Sequence, residues 1–362
     1  MSTFPRCIND LIPVILDSDN HWWPRDLLRL ARVSTEWLIH VRRRIYTCPT
    51  LLSFKACFLL CRTLTESSHL LALINAIDLR PAVIESCADR PLSMKDRSSI
   101  RFLLGMEGLH AISLGGRLAV KAERFLASIS EPHTVKELCI DGSQLRDVLR
   151  CPPSLEWDES IAARFSSLNK LHLRHIELDV IFSSPSCTPP IADLILDNVN
   201  IISGYLLSIL PVPPTTCCLR ISTKSAAECD EHVALILEAC SVESLEYEVQ
   251  EDSTAENCIF DTITVDCPSL RSLHLNGVRI DSNTLLSISL RCMNLEELVV
   301  FGRMVHITAG EWVQFMNVGS LSSLKRLGLP EGICCPPFKA WEPAIANTLT
   351  EASVSQQLIL LP

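Results

Sequence analysis

The residues that could do chemistry are few, and their spacing is poor for it. His172 and His175, in the string HLRH, are the nearest approach to a metal-ligand pair. The apolar pattern around them puts His172 on an exposed strand face and His175 in the turn that follows. The two then point in different directions and read as solvated or capping side chains. Cys57 and Cys61 are four apart, while Cys217–Cys218 and Cys334–Cys335 are adjacent. Tetrahedral zinc wants paired ligands with matching partners downstream, and no C-x2-C occurs. G-x-G-x-x-G, G-x4-G-K-S/T, G-x-S-x-G and H-E-x-x-H are also missing. We therefore expect no metal, no cofactor and no catalytic residue, and read the chain as non-enzymatic. Arg42-Arg43-Arg44 could attract nucleic acid or serve nuclear import. Without interleaved aromatics it reads as a solvated helix face.

Composition narrows the class. Of 362 residues, 48% are apolar and 20% charged, which is too apolar for a disordered chain. The 12 glycines are few for Gly-rich phosphate-cradling folds, and a net charge of −10 argues against a nucleic-acid binder. A mean hydropathy of +0.25 raises the membrane question. The apolar runs, such as Leu70–Ile77 and Leu295–Phe301, fall well short of the roughly 18–20 residues that span a bilayer, so no membrane association is expected. Asp10 interrupts what would be the apolar part of a signal peptide. The 17 cysteines, an odd number in a large chain, read as reduced, small, buried hydrophobes. The expected location is the cytoplasm, the nucleus or both.

One pattern recurs: apolar-x-x-apolar-x-apolar. It begins at Ile74, Leu109, Val135, Leu168, Ile191, Thr216 (an imperfect first slot), Val242, Leu270, Leu295 and Leu324, in steps of 23 to 35 residues. Most steps lie in or near the range of leucine-rich repeats. The 33- and 35-residue steps predict longer segments between strands. Between strands lie helical patterns, as at 281–291, with Asp281 or Ser282 as N-cap. A single unit buries about six apolar side chains, at about 2 kcal/mol each. Ordering its residues costs about 1–2 kcal/mol apiece, so units must stack and share walls. Scarce glycine leaves tight turns to Asn, Asp and Pro.

The first 70 residues lack the repeat. Through Arg62 the chain carries nine Lys/Arg against five Asp/Glu, net +4; the remainder carries 23 against 37, net −14. Within this basic segment, Pro24 or Asp26 opens a helix, and Leu27, Leu30, Ala31 and Val33 fall at helical spacing. Ser34 can cap the next helix, with Trp37 at its third position. Upstream, Leu11, Ile12, Ile15 and Leu16 are again helical, but Pro13 should shorten or kink that helix.

Residues 26–37, Asp-Leu-Leu-Arg-Leu-Ala-Arg-Val-Ser-Thr-Glu-Trp, resemble the F-box motif. Motif plus repeats resemble the F-box/leucine-rich-repeat families of mushroom-forming fungi. Cys7-Ile8-Asn9-Asp10-Leu11 departs from the usual Leu-Pro-Pro-Glu-Leu start. The resemblance implies an α/β fold: a short trihelical F-box at 4–47, a linker helix at 48–70, and at 71–362 an irregular solenoid of about ten leucine-rich repeats. Its parallel sheet would be concave, with helices on the convex side. It further implies the substrate-recognition subunit of an SCF-type ubiquitin ligase, whose F-box docks on the Skp adaptor through Leu11, Ile15, Leu27, Leu30, Val33 and Trp37. A protein substrate would lie on the concave face. Strand alternation turns His172, Arg174, Arg220, Glu246 and His274 outward as polar contacts, with Val299 and Phe301 as an apolar anchor. The alternative is a repeat scaffold whose degenerate F-box has no ligase role.

Overall fold

The computed structural model describes residues 7–18, 22–82, 92–145, 152–182, 188–211, 217–250, 258–319, 321–333 and 339–361. Helix α1 (Cys7–Asp17) runs on through Pro13. The helix does not end at the proline; proline removes one N–H from the ladder, and the helix continues on both sides. Helix α2 (Pro24–Leu30) starts on Pro24, whose missing N–H is not needed in a first turn. Helix α3 (Thr35–Thr47) is capped by Ser34, whose hydroxyl accepts from the Trp37 N–H at 3.3 Å. Helix α4 (Phe54–Glu66) is capped in the same way by Ser53 and packs on α5 (Met94–Leu104).

The strands follow: β1 (Thr50–Leu51), β2 (Ala76–Leu79), β3 (Ala111–Gly115), β4 (Glu137–Asp141), β5 (Ser154–Asp158), β6 (Lys170–Arg174), β7 (Glu177–Ile181), β8 (Asp193–Asp197) and β9 (Asn200–Ser203). After them come β10 (Cys217–Thr223), β11 (Val242–Val249), β12 (Ser272–Asn276), β13 (Glu297–Phe301), β14 (Arg326–Gly328), β15 (Gly332–Ile333), β16 (Lys339–Ala340) and β17 (Ile359–Leu361). Twelve of these form one parallel sheet in the order β1-β2-β3-β4-β6-β8-β10-β11-β12-β13-β14-β17. Spatial order therefore follows chain order, and each crossover has the length a parallel connection needs. All ten expected strands are in this sheet. β1 and β17 extend it at either end and carry no repeat pattern. β5, β7 and β9 make a second parallel sheet, and β15 pairs antiparallel with β16. β5 lies within the long step that follows Val135.

Register follows the repeat. Ile77, Ile112, Leu138, Leu171, Leu194, Leu219, Leu245, Leu273, Leu298 and Leu327 align across the sheet. All ten are buried in one continuous core, with the helices between strands on the same side. A one-residue slip in any strand would drive its apolar row to the opposite face. Tyr247 is the polar exception in an inward row, and its hydroxyl donates to Asp230 at 2.5 Å. The helices α1–α3 have a separate small core, and α3 meets the main one through Tyr46. Among the described residues they bury Ile12, Leu16, Leu27 and Val41 among themselves, with Trp22, Leu30, Ala31 and Trp37 packed around.

Left-handed residues end six strands: Gly116 (φ 52°), His175 (φ 48°), Asn198 (φ 53°), Gly204 (φ 76°), Gly277 (φ 70°) and Gly302 (φ 105°). Only Asn198 fits the expectation that Asn, Asp and Pro make these turns; glycine makes four of the six, because it alone takes this backbone without steric cost. Gly277 is required, because a Cβ there would lie 2.0 Å from the Val249 carbonyl oxygen.

Candidate functional site

Three rows of side chains line the sheet face opposite the core. The first runs Glu137, Lys170, Asp193, Cys218, Ser244, Ser272, Glu297, Arg326. The second, two residues further along each strand, runs from Asp78 and Ser113 through Cys139, His172, Ile195, Arg220, Glu246, His274 and Val299 to Gly328. The third runs Gly115, Asp141, Arg174, Asp197, Ser222, Glu248, Asn276, Phe301. His172, Arg174, Arg220, Glu246, His274, Val299 and Phe301 thus come from five strands onto one face.

The amino-terminal half of this face is a linked ion network. Asp141, with a side chain only 4% exposed, receives Arg80 Nη1 at 3.1 Å and has Arg174 Nη1 at 3.8 Å. Arg80 also reaches Asp78 at 2.7 Å, and Arg174 Nε lies 2.9 Å from Asp197. Burial works to raise the Asp141 pKa. The Ser143 N–H at 2.9 Å and the two guanidiniums outweigh it and hold the carboxyl below its ordinary range. His172 Nε2 stands 3.0 Å from Asp197 Oδ2. Burial disfavours its charged form, but the hydrogen bond to Asp197, with a contact to Cys139, raises its pKa to about 9. Asp197 is lowered by the same bond, against its own desolvation. His172 is therefore an imidazolium at neutral pH. Beside the network lies a depression of about 270 Å³ lined by Cys48, Ala76, Ala111, Ser113, Cys139 and His172, among others. Small side chains on three neighbouring strands leave this space.

The carboxy-terminal half is paired more loosely. Arg220 Nη2 donates to Glu246 at 2.9 Å, and both side chains are more than a third exposed. Glu248 accepts from Ser222 and from Asn276, each at 3.0 Å. His274 faces Glu297 at 3.3 Å, and Arg326 holds the same carboxylate at 2.7 Å. Phe301 is half-buried. Val299 departs from expectation: it is only 6% exposed and is not an open anchor. Gly328 in the next strand has no side chain, and Val299 leans into that space; a Cβ on Gly328 would lie 2.9 Å from Val299 Cγ1.

The six residues expected on the helical docking surface divide. Leu11 (53% exposed), Ile15 (42%) and Val33 (65%) face solvent, joined by Val14, Trp23 and Leu28. Leu27 lies in the small core, and Leu30 and Trp37 are half-buried against it.

His175 sits in the turn after β6, on left-handed backbone, apart from the His172 side chain in its strand. Among the described residues no cluster of three or more His, Cys, Asp or Glu side chains is placed to hold a metal, and no helix is long and apolar enough to cross a membrane. Cys57, Cys217 and Cys258 are buried thiols whose pKa burial pushes up to about 12. No family model matches the chain, and no curated protein matches it significantly. Arg80 and Asp141 were not singled out by the repeat pattern. Aligning the repeats would have found Asp141, which occupies the Arg174 position one strand earlier.

Proposed function

We propose that this chain is a substrate-recognition subunit of an SCF-type ubiquitin ligase. Its helical unit is an F-box that binds the Skp adaptor, and its sheet belongs to leucine-rich repeats that hold a protein substrate on the three-row face. One observation carries the reading. Helices α1–α3 bury four residues among themselves yet expose Leu11, Val14, Ile15, Leu28 and Val33. A helical unit of this size with so small a core gains by laying that surface on a partner. Polar and charged side chains on the sheet face suit a protein surface better than a small apolar ligand.

Co-purification of the full-length chain with a Skp adaptor tests it. Wild type should capture the adaptor. Ile15→Asp with Val33→Asp should lose capture at least roughly tenfold, with helix content unchanged because both positions are exposed. Leu27→Glu is a poor probe, since it would place a charge in the small core. A wild-type chain that captures no adaptor would leave the repeat-scaffold reading.

A further inference from the structure

Two cavities flank α3, the first of them reaching Leu16 of the small core. One, of about 640 Å³, is lined by Pro13, Asp17, His40, Arg43, Arg44 and Thr47, among others. The second, of about 550 Å³, is lined by Arg42, Arg43, Thr47, His69 and Asn75, among others, and reaches the turn before β2. They share Arg43 and Thr47. Arg44 is paired with Asp17 at 3.1 Å. Among the described residues no carboxylate pairs with Arg42, which lines the second cavity, or with Arg43, which lines both. This basic pocket belongs to a chain of net charge −10.

We propose that this double cavity binds a small anion carrying several phosphate groups. Adjacent like charges repel, and a polyphosphate removes that cost while accepting the forked donors of arginine. The volumes suit a small molecule. Neither lining contains a Phe, Tyr or Trp side chain, so the broad stacking platforms of a nucleic-acid track are missing. The bound anion would brace α1 and α3 against the first turn of the sheet region. On α1, Pro13 and Asp17 are each two residues on from Leu11 and Ile15, about 200° around the helix, while Val14 is about 60° from Asp17. The site is independent of the adaptor reading.

Calorimetric titration of the full-length chain with inorganic tripolyphosphate, ATP and orthophosphate tests the site. Tripolyphosphate should bind one per chain, ATP should match it within about threefold because nothing reads the base, and orthophosphate should bind at least roughly tenfold more weakly. Arg42→Gln with Arg43→Gln should weaken tripolyphosphate at least roughly tenfold, whereas Arg97→Gln with Arg101→Gln, an equal charge change on α5, should not. Absence of tripolyphosphate binding at about 1 mM overturns the site. So does equal weakening in both variants, or tighter binding of a single-stranded oligonucleotide than of tripolyphosphate. Should the Arg42/Arg43 variant misfold, the wild type still decides, because affinity unchanged by added salt is incompatible with ion pairing at this cleft.

Discussion

The helical unit and the sheet solve the same problem differently. The sheet shares walls: each strand buries its apolar row against neighbours on both sides, so one core runs from Leu51 to Ala352. The helices α1–α3 meet the main core only at one end, through Tyr46 among the described residues, and close over four described buried residues. Polarity inverts between the two. The sheet faces outward with charges that largely neutralise one another, while the helices face outward with aliphatic side chains. A region whose surface charges are already paired can stand alone, whereas a region with exposed Leu, Ile and Val has surface that a partner would cover.

The sharpest test of this contrast is to cut each core. Leu245→Ala, at a fully buried position in the middle of the sheet, should cost about 3–5 kcal/mol in denaturant unfolding. Val41→Ala in the small core should cost about 1–3 kcal/mol, with faster amide exchange confined to α1–α3. Equal acceleration of exchange in the sheet by Val41→Ala would mean that the two cores unfold as one.

The next effect separates buried from exposed charge. Asp141→Asn keeps the shape but leaves Arg80 and Arg174 facing each other around a neutral group. We expect a loss of about 3 kcal/mol, since removing one partner of a buried pair strands the other.

Much of this fold was legible in advance. Ten strands, their inward residues, the Ser34 cap and the Asp281 cap follow from apolar spacing and from capping chemistry. Seven strands were not: β1 and β17 are short and are recruited by the sheet edge rather than by a repeat, and β5, β7, β9, β15 and β16 lie outside the repeated apolar pattern in smaller sheets of their own. The candidate face was legible as a list of outward residues but not as a network. Alternation says which way Arg174 points; it does not say that Asp141 from one neighbouring strand and Asp197 from the other will both reach it. Val299 failed for the opposite reason: its burial depends on a glycine 29 residues later.

The pH dependence should report the network directly. The His172 pKa of about 9 lies above the ordinary value of 6.5, so its contribution is fully present below about pH 6.5 and is lost as pH rises through about 9. With solvent contact discounted, about 2 kcal/mol should disappear over that window. Urea unfolding at three pH values checks this. Asp197→Asn should flatten the slope between pH 6.5 and 9, and an unchanged slope would remove His172 as its source.

The smallest expected effect marks the boundary between fold and function on the same face. Arg220 and Glu246 pair in the open, so Arg220→Gln should change stability by no more than about 0.5 kcal/mol. That makes it a clean probe, unlike Asp141→Asn. If the carboxy-terminal half of the face holds a protein partner, loss of Arg220 should lower partner capture while the unfolding curve stays in place. Loss of stability equal to that of Asp141→Asn would instead mean that the pair belongs to the framework, and that the two halves of the face do not differ as their exposure implies.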